Sequence, residues 1–234
     1  MKIKYLGHSA FYVEDKVNFV IDPFISQNPR AQQFGIKLED ILKLKPKYCF
    51  ITHGHWDHIG DAVYFAKNGS IVVAIYEIIS YLSRFVPNLK AESMNFGTIE
   101  NEDLKATLLP VPHSSSIIEE NGNIIYLGHS GSFLIEISGK KIYHLGDSGL
   151  TKEFELVGEF YKPDIVLIPI GGRFTMNIKE AVEAIKMLRP KYAIPMHYNT
   201  WPPIEADPNL FKELVEKETE TKVFVLNPGE EIEL

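Results

Sequence analysis

The sequence predicts an α/β fold, a four-layer αββα sandwich: two mixed β-sheets stacked face to face, with helices on both outer faces. Three observations predict it. Short apolar stretches of strand character alternate with segments of helical periodicity along the whole chain. A five-residue run near the start, Tyr5-Leu6-Gly7-His8-Ser9, recurs as Tyr126-Leu127-Gly128-His129-Ser130, each copy followed by a strand-like stretch, Phe11 to Glu14 or Phe133 to Glu136. After each copy a second strand ends at an aspartate, Asp22 or Asp147. A helix, a buried strand, a Gly-bearing loop, a helix and a strand then follow in the same order. The expectation is one domain over residues 1–234, built from two similar halves, about 1–90 and 120–205. Each half is a sheet with helices on one side, so stacking sheet on sheet buries both apolar faces and brings matching strand ends to one rim.

The elements follow in order. Met1 to Leu6 alternates as a strand; Ser9 to Glu14 and Val17 to Ile21 flank a Glu14-Asp15-Lys16 turn, and Asp22-Pro23 closes that run. Leu38 to Leu44 has helical spacing and stops before Pro46. Tyr48 to Thr52 is a buried strand. Asp57 to Lys67 puts Ile59, Val63 and Ala66 on one helical face, ended by Asn68-Gly69. Ile71 to Ile75 is a strand, and Tyr76 to Val86 a helix stopping at Pro87. Leu104 to Val111 is a strand delivering Pro112-His113. Ile124 to Leu127, Ser132 to Ile137 and Lys141 to Leu145 are expected to form a meander, with Ser138-Gly139-Lys140 as a turn. Glu153 to Tyr161 reads as a helix and Asp164 to Ile170 as a buried strand before Gly171-Gly172. Asn177 to Leu188 is an amphipathic helix with Asn177 as N-cap and Glu180 at the capping-box position. Tyr192 to Met196 is a strand, Pro208 to Lys217 a helix and Lys222 to Leu226 a closing strand.

With 45% apolar residues the chain can bury a substantial core. The net charge of −7 argues against a nucleic-acid partner, which usually meets a basic face. The one cysteine, Cys49, excludes an internal disulfide and sits mid-strand as buried filler. No apolar run approaches the ~20 residues of a membrane span. The N-terminus has no charged region followed by an apolar one, so the expectation is a cytoplasmic protein without a signal peptide. The sequence is open to a homo-oligomer.

The chemistry concentrates in Thr52-His53-Gly54-His55-Trp56-Asp57-His58-Ile59-Gly60-Asp61, where four metal-ligand side chains directly follow a buried strand. Imidazole and carboxylate suit zinc or manganese first, and also iron or nickel. Ligands so close along the chain cannot all reach one ion in a relaxed geometry, so two divalent ions are expected. Further candidates stand at other strand ends, where a rigid scaffold holds loop-borne groups: His113, Asp147 and His197. His53, His55 and His113 are assigned to the first ion, Asp57, His58 and His197 to the second, and Asp147 to both. A hydroxide between the ions is the expected nucleophile, which makes Asp57 and Asp147 the candidate catalytic carboxylates. The competing readings are a solvated loop for the quartet, a turn histidine for His113 and a turn aspartate before Ser148-Gly149 for Asp147; the shortage of other ligands favours metal. Outside this set, His8 either faces the rim or bonds a loop, and Asp22 either orients a ligand histidine or caps a turn. Arg173 either pairs with an anionic substrate group or is solvated. His144 reads as core or as a support behind a ligand. Phe174 and Met176 line the pocket or pack in the core.

These residues reproduce the pattern of the metallo-β-lactamase superfamily: His-x-His-x-Asp-His at 53–58, then His113, Asp147 in Gly-Asp-Ser, and His197. Leu6-Gly7-His8-Ser9, Ile21-Asp22-Pro23-Phe24, His113-Ser114-Ser115, Tyr143-His144-Leu145-Gly146-Asp147, Pro169-Ile170-Gly171-Gly172, Phe174-Thr175-Met176 and Pro195-Met196-His197-Tyr198-Asn199-Thr200 further resemble its branch of small prokaryotic metal-dependent hydrolases. That branch is similar to ascorbate-6-phosphate lactonases and to the phospholipase D acting on N-acyl phosphatidylethanolamines. The resemblance covers nearly the whole chain and implies the αββα sandwich and a di-metal site. His129 departs from the pattern and carries no role over. Trp56 stands where a small residue is common, which alters the pocket wall. The expected function is a di-metal hydrolase of an ester, lactone, thioester or phosphodiester in a small substrate, and the resemblance leans toward a phosphate-containing one. A metal-dependent nuclease is the second reading, disfavoured by the acidic, compact chain. A non-enzymatic metal-centred sensor is the third, disfavoured by the complete ligand set.

Overall fold

The computed structural model describes residues 1–234. In chain order its strands are β1 (Lys2–Gly7), β2 (Ala10–Glu14), β3 (Phe19–Ile21), β4 (Tyr48–Phe50), β5 (Ile71–Ile75), β6 (Ala91–Met94), β7 (Gly97–Glu100), β8 (Lys105–Pro110), β9 (Ser116–Ile118), β10 (Ile124–Tyr126), β11 (Gly131–Ile137), β12 (Lys140–His144), β13 (Ile165–Pro169), β14 (Tyr192–Met196), β15 (Lys222–Val223) and β16 (Glu231–Glu233). The helices are α1 (Pro29–Gln33), α2 (Leu38–Lys43), α3 (Trp56–Ile59), α4 (Ala62–Lys67), α5 (Tyr76–Leu82), α6 (Glu153–Leu156), α7 (Ile178–Leu188) and α8 (Pro208–Glu218). None is long and apolar enough to cross a membrane.

Two seven-stranded sheets repeat one plan. The first runs β16-β1-β2-β3-β4-β5-β6 and the second β7-β8-β11-β12-β13-β14-β15, read from the opposite edge. In each, the first four strands in that order pair antiparallel, and the last four pair parallel. Parallel neighbours need crossovers, and the helices supply them: α2 leads into β4, α3 and α4 into β5, α5 into β6, α6 into β13, α7 into β14 and α8 into β15.

Side-chain alternation in the second sheet shows how the layers stack. Phe133, Ile135, Ile142, Ile165, Leu167, Ile194 and Met196 join one apolar cluster with the strands of the first sheet. The residues between them, Leu134, Tyr143, Val166, Ile168 and Ala193, join a second cluster with α6, α7 and α8. A sheet apolar on both faces must be covered on both. Phe50 of β4 meets Phe133 of β11 across the sheets, ring centroids 5.1 Å apart in an edge-on contact. Cys49 is fully buried in the same core, and burial pushes its thiol up, as suits filler.

Several local outcomes differ from the expectations. Ile124–Tyr126 does not join the meander: it pairs with Ser116–Ile118 in a separate two-stranded hairpin, and β8 takes the place beside β11. Ile118, Ile124 and Tyr126 remain exposed, whereas β8 buries Ala106, Thr107 and Leu108 in a row. The five-residue echo therefore overlies the sheet plan only from Ser9 and Ser130 onward. The helix expected over 57–67 breaks at Gly60-Asp61, because the Asp61 amide bonds Pro23 O at 2.8 Å and its carboxylate accepts from the amides of Ile25 and Ser26. The segment Glu153–Tyr161 begins as α6 and widens to a π turn over Val157–Tyr161. There Gly158 lies so close to α7 that a Cβ would sit 2.2 Å from Met187 O. α7 carries the expected capping box: Asn177 Oδ1 accepts from Glu180 N at 3.1 Å, and Asn177 N donates to Glu180 Oε2 at 2.9 Å. The edge strands β6, β7, β9 and β16 and helix α1 gave no apolar pattern to read.

Phe133 is fully buried between the sheets. Phe133→Ala is expected to cost about 3–5 kcal/mol, read from the urea midpoint with the slope of the transition unchanged.

Candidate metal centre

Each candidate ligand stands where a strand ends: His8 after β1, Asp22 after β3, His53 after β4, His113 after β8, Asp147 after β12 and His197 after β14. Three hydrogen bonds pin the two sheets together at this rim. His197 N donates to His8 O at 2.8 Å, Gly131 N donates to Thr52 O at 3.0 Å, and His144 Nε2 donates to Ser9 O at 2.8 Å. His144 Nδ1 in turn accepts from Gly146 N at 3.0 Å. That ring is fully buried and lies behind the centre, as a support. Gly146 has φ of +59°, and a Cβ there would meet Thr52 and Gly131 O at 2.9 Å; a side chain would push Asp147 off its position.

The side chains form two adjoining groups of four, and Asp22, His53 and His58 make a third, smaller one that shares His53 with the first and His58 with the second. In the first, His53, His55, His113 and Asp147 have ligand atoms within 4.8 Å of one another. His53 Nε2 is 3.0 Å from His55 Nδ1, and His113 Nε2 is 3.3 Å from that same atom. Asp147 Oδ2 is 3.4 Å from His113 Nε2 and 3.9 Å from His53 Nε2. Four donors ~2.0–2.1 Å from a tetrahedral zinc would lie about 3.3 Å apart, so the spacing fits one ion. In the second group, His8, Asp57, His58 and His197 are equally close. Asp147 reaches it too: Oδ1 is 3.2 Å from His58 Nε2, and Oδ2 is 3.0 Å from His197 Nε2. His58 Nε2 and Asp147 Oδ1 are buried, and neither makes a hydrogen bond despite their proximity. Two buried polar atoms so close together and left without a full hydrogen bond are a place where a cation would be satisfied.

Other groups aim these side chains. Asp22, fully buried, accepts from His58 Nδ1 at 2.8 Å, from Thr52 N at 2.8 Å and from Thr52 Oγ1 at 2.7 Å. This turns His58 Nε2 inward. Thr52 Oγ1 is also 3.0 Å from His53 Nδ1. Ser114 Oγ holds His55 Nε2 at 3.2 Å, which leaves Nδ1 for the cluster. His8 Nε2 bonds Asp57 Oδ2 at 3.0 Å, and its Nδ1 bonds Thr200 Oγ1 at 2.9 Å. With both nitrogens engaged, His8 is a holder of Asp57. His8, Asp22 and His197 all have positive φ, at 56°, 45° and 54°.

Electrostatics follow from burial. Burial lowers the pKa of His113 to about 4. Burial, with His197 close by, does the same to His8. Burial also works against charge on His58, but Asp147 and Asp22 on either side outweigh it and hold its pKa well above the usual imidazole value. Asp57 and Asp147 stay ionised: burial opposes them, but His58 and His8 around Asp57, and His197 and His58 around Asp147, draw them down.

Some sequence candidates lie elsewhere. Arg173 is exposed, its guanidinium 5.4 Å over the Phe174 ring, in neither ligand group. Met176 is core, and Phe174 is exposed. His129 is exposed between Phe96 and Tyr126. Sequence reasoning missed Thr200, Ser114 and Trp201 as neighbours of the centre. For Thr200 and Ser114 the available signal was a hydroxyl residue within three positions of a candidate ligand.

Residues 2–197 match the family described as a beta-lactamase superfamily domain, and the chain belongs to that superfamily. Within it, the chain belongs to the UPF0173 metal-dependent hydrolases. It is 43% identical over 236 residues to one from Pyrococcus abyssi, covering all of both proteins. It is also 41% identical to a solved structure, Igni18, a novel metallo hydrolase from the hyperthermophilic archaeon Ignicoccus hospitalis KIN4/I. That likeness has a TM-score of 0.88 and covers 99% of this chain and 97% of the other. An isothiocyanate hydrolase from Delia radicum gut bacteria shares the fold, with TM-score 0.77, 16% identity, and coverage of 100% and 99%.

Asp22→Asn keeps a residue type that tolerates positive φ but weakens the hold on His58. Cation affinity is expected to fall about 10–100-fold, read by competition with a chelator, and the unfolding temperature of the cation-free protein to fall as well, since an amide has one accepting oxygen where the carboxylate has two.

Proposed function

We propose that the two groups hold one divalent cation each: His53, His55 and His113 the first, Asp57, His58 and His197 the second, with Asp147 shared. The protein then hydrolyses an ester-like bond, a carboxylic ester, lactone or phosphodiester, in a small substrate. Donors of nitrogen and oxygen without thiolate suit zinc or manganese. The position of Asp147 carries this reading: its two oxygens lie 3.0–3.9 Å from imidazole nitrogens of both groups. Bound there, divalent cations supply a water acidified to a pKa of roughly 7 and polarise the group under attack.

The chain's own residues do the rest. Asp22 and Thr52 fix the ring of His58, and Ser114 fixes that of His55. The Thr200–His8–Asp57 chain of hydrogen bonds keeps the Asp57 carboxylate turned toward the second group. His53, His58, Asp147 and His197 are buried, while His55, Asp57 and His113 are half-buried; the exposed side is where a substrate enters. A centre held this rigidly places the reacting groups before the substrate arrives.

The test is reconstitution of the apoprotein with zinc, manganese, iron or nickel, followed by a panel of lactones, carboxylic esters and phosphodiesters. Two equivalents of metal and turnover of one class are expected. His53→Ala and His197→Ala should each lose one equivalent and more than about 100-fold in rate, beyond the loss typical of a supporting residue. A His197→Ala protein that kept both equivalents and full rate would remove the second-ion assignment.

A further inference from the structure

Beside the metal centre a groove of about 300 Å³ opens to solvent, walled by Phe24, Trp56, Ile59, Tyr64, Tyr81 and Phe85. None of the proposed ligands lines it, but its wall adjoins them. Trp56 stands between His55 and Asp57, and Ile117, on the groove's rim, lies four residues beyond His113. The Phe24 ring is 4.9 Å from Trp56 and 5.7 Å from His8, the residue that holds Asp57. Trp201 extends the aromatic wall, 5.6 Å from Trp56 and 5.0 Å from His8.

The groove's chemistry is one-sided. No lysine or arginine lines it. Its one acid, Asp61, is consumed by the amides of Ile25 and Ser26 and by the Ser26 hydroxyl. Arg84 lies over the rings of Tyr81 and Phe85, but Glu119 neutralises it at 3.0 Å. The groove's own lining offers a phosphate or carboxylate no positive charge. The aromatic surface is not spent on the fold: Trp56 is 48% exposed, Tyr64 53% and Phe85 44%. Wet apolar surface gathered in a concavity is a binding feature. The volume sits at the low end of the ~300–1,000 Å³ range of ligand pockets, which suits one arm of a small substrate.

We propose that this groove is the subsite for an uncharged apolar arm of the substrate, an alkyl or aryl group attached to the bond cleaved at the metal centre. The inference rests on the hydrolase reading above and deepens it. Any charged part of the substrate then lies on another side of the centre.

Both tryptophans of the chain stand at this wall, so intrinsic fluorescence reports its filling. The test titrates protein freed of cations by a chelator, so that a phosphate finds no ion to bind, with 1-butanol, 1-hexanol, 1-octanol and hexyl phosphate. A saturable change is expected, with the dissociation constant falling roughly three- to fourfold per methylene until the groove is full. Hexyl phosphate should bind more weakly than 1-hexanol. Phe85→Ala and Tyr64→Ala should each weaken 1-octanol about fivefold or more while cation content is unchanged. In the zinc-loaded protein, kcat/KM for p-nitrophenyl esters should climb from acetate to octanoate, and Phe85→Ala should flatten that climb. No saturable signal, affinity independent of chain length, tighter binding of hexyl phosphate, or native behaviour in both variants would overturn the proposal. So would a dimer whose fluorescence stays silent, since a second copy would then fill the groove. The fluorescence arm needs neither cation nor turnover. A protein that binds 1-octanol but cleaves no lactone, carboxylic ester or phosphodiester of the panel fails only the hydrolase reading, and one that cleaves esters regardless of chain length fails only this one.

Discussion

A carboxylate taken out of water must be answered by positive charge, and Asp147 is the place where this protein meets that demand. It is 2% exposed, and imidazole nitrogens from both ligand groups lie around it. Asp22, fully buried, and the half-buried Asp57 stand in the same few ångströms. Isolated ions this deep would cost far more than any nearby contact returns. The rings of His53, His113 and His8 are pushed toward their neutral form, so they offer lone pairs. A proton shared around His58 can satisfy part of the deficit, and a bound metal ion would supply more of it.

The two sheets are arranged to meet this requirement. The first contributes His53, His55, Asp57 and His58 through the turn after β4, and the second contributes His113, Asp147 and His197 from three strand ends. Getting them to one point takes sharp reversals, and three are made by non-glycine residues in the left-handed region, His8, Asp22 and His197. Such conformations cost on the order of 1–3 kcal/mol each. They persist because each residue is tied on its far side. His197 N bonds His8 O across the sheets, and Asp22 takes three hydrogen bonds.

Much of this was legible in the sequence. Neither a solvated loop nor a packed core calls for three imidazoles and a carboxylate within His53-Gly54-His55-Trp56-Asp57-His58, whereas a cation does. The remaining ligands each follow an apolar strand, so type and place could be read together. The capping box of α7 is local chemistry over four residues and was equally readable. Tertiary choice was not. Ile124–Tyr126 looks as much like a sheet strand as Leu104 to Val111 does; only the partner chosen by β11 separates them. Arg173 follows a Gly-Gly turn whether it meets a substrate or water, so its place along the chain could not tell the two apart. The aromatic groove draws on positions 24, 56, 64, 85 and 117, which share no period, so no pattern along the chain announces it.

The staple between His197 and His8 has a wider meaning for the molecule. The donors are divided between two layers that otherwise meet only through greasy packing and a few rim contacts. Any ion that seats there is a rivet through both, and whatever energy it gains on seating is added to the cohesion of the native state. Heat tolerance in this protein is therefore tied to metal supply: starved of ions, the two layers keep only their oily interior and the hydrogen bonds along one edge.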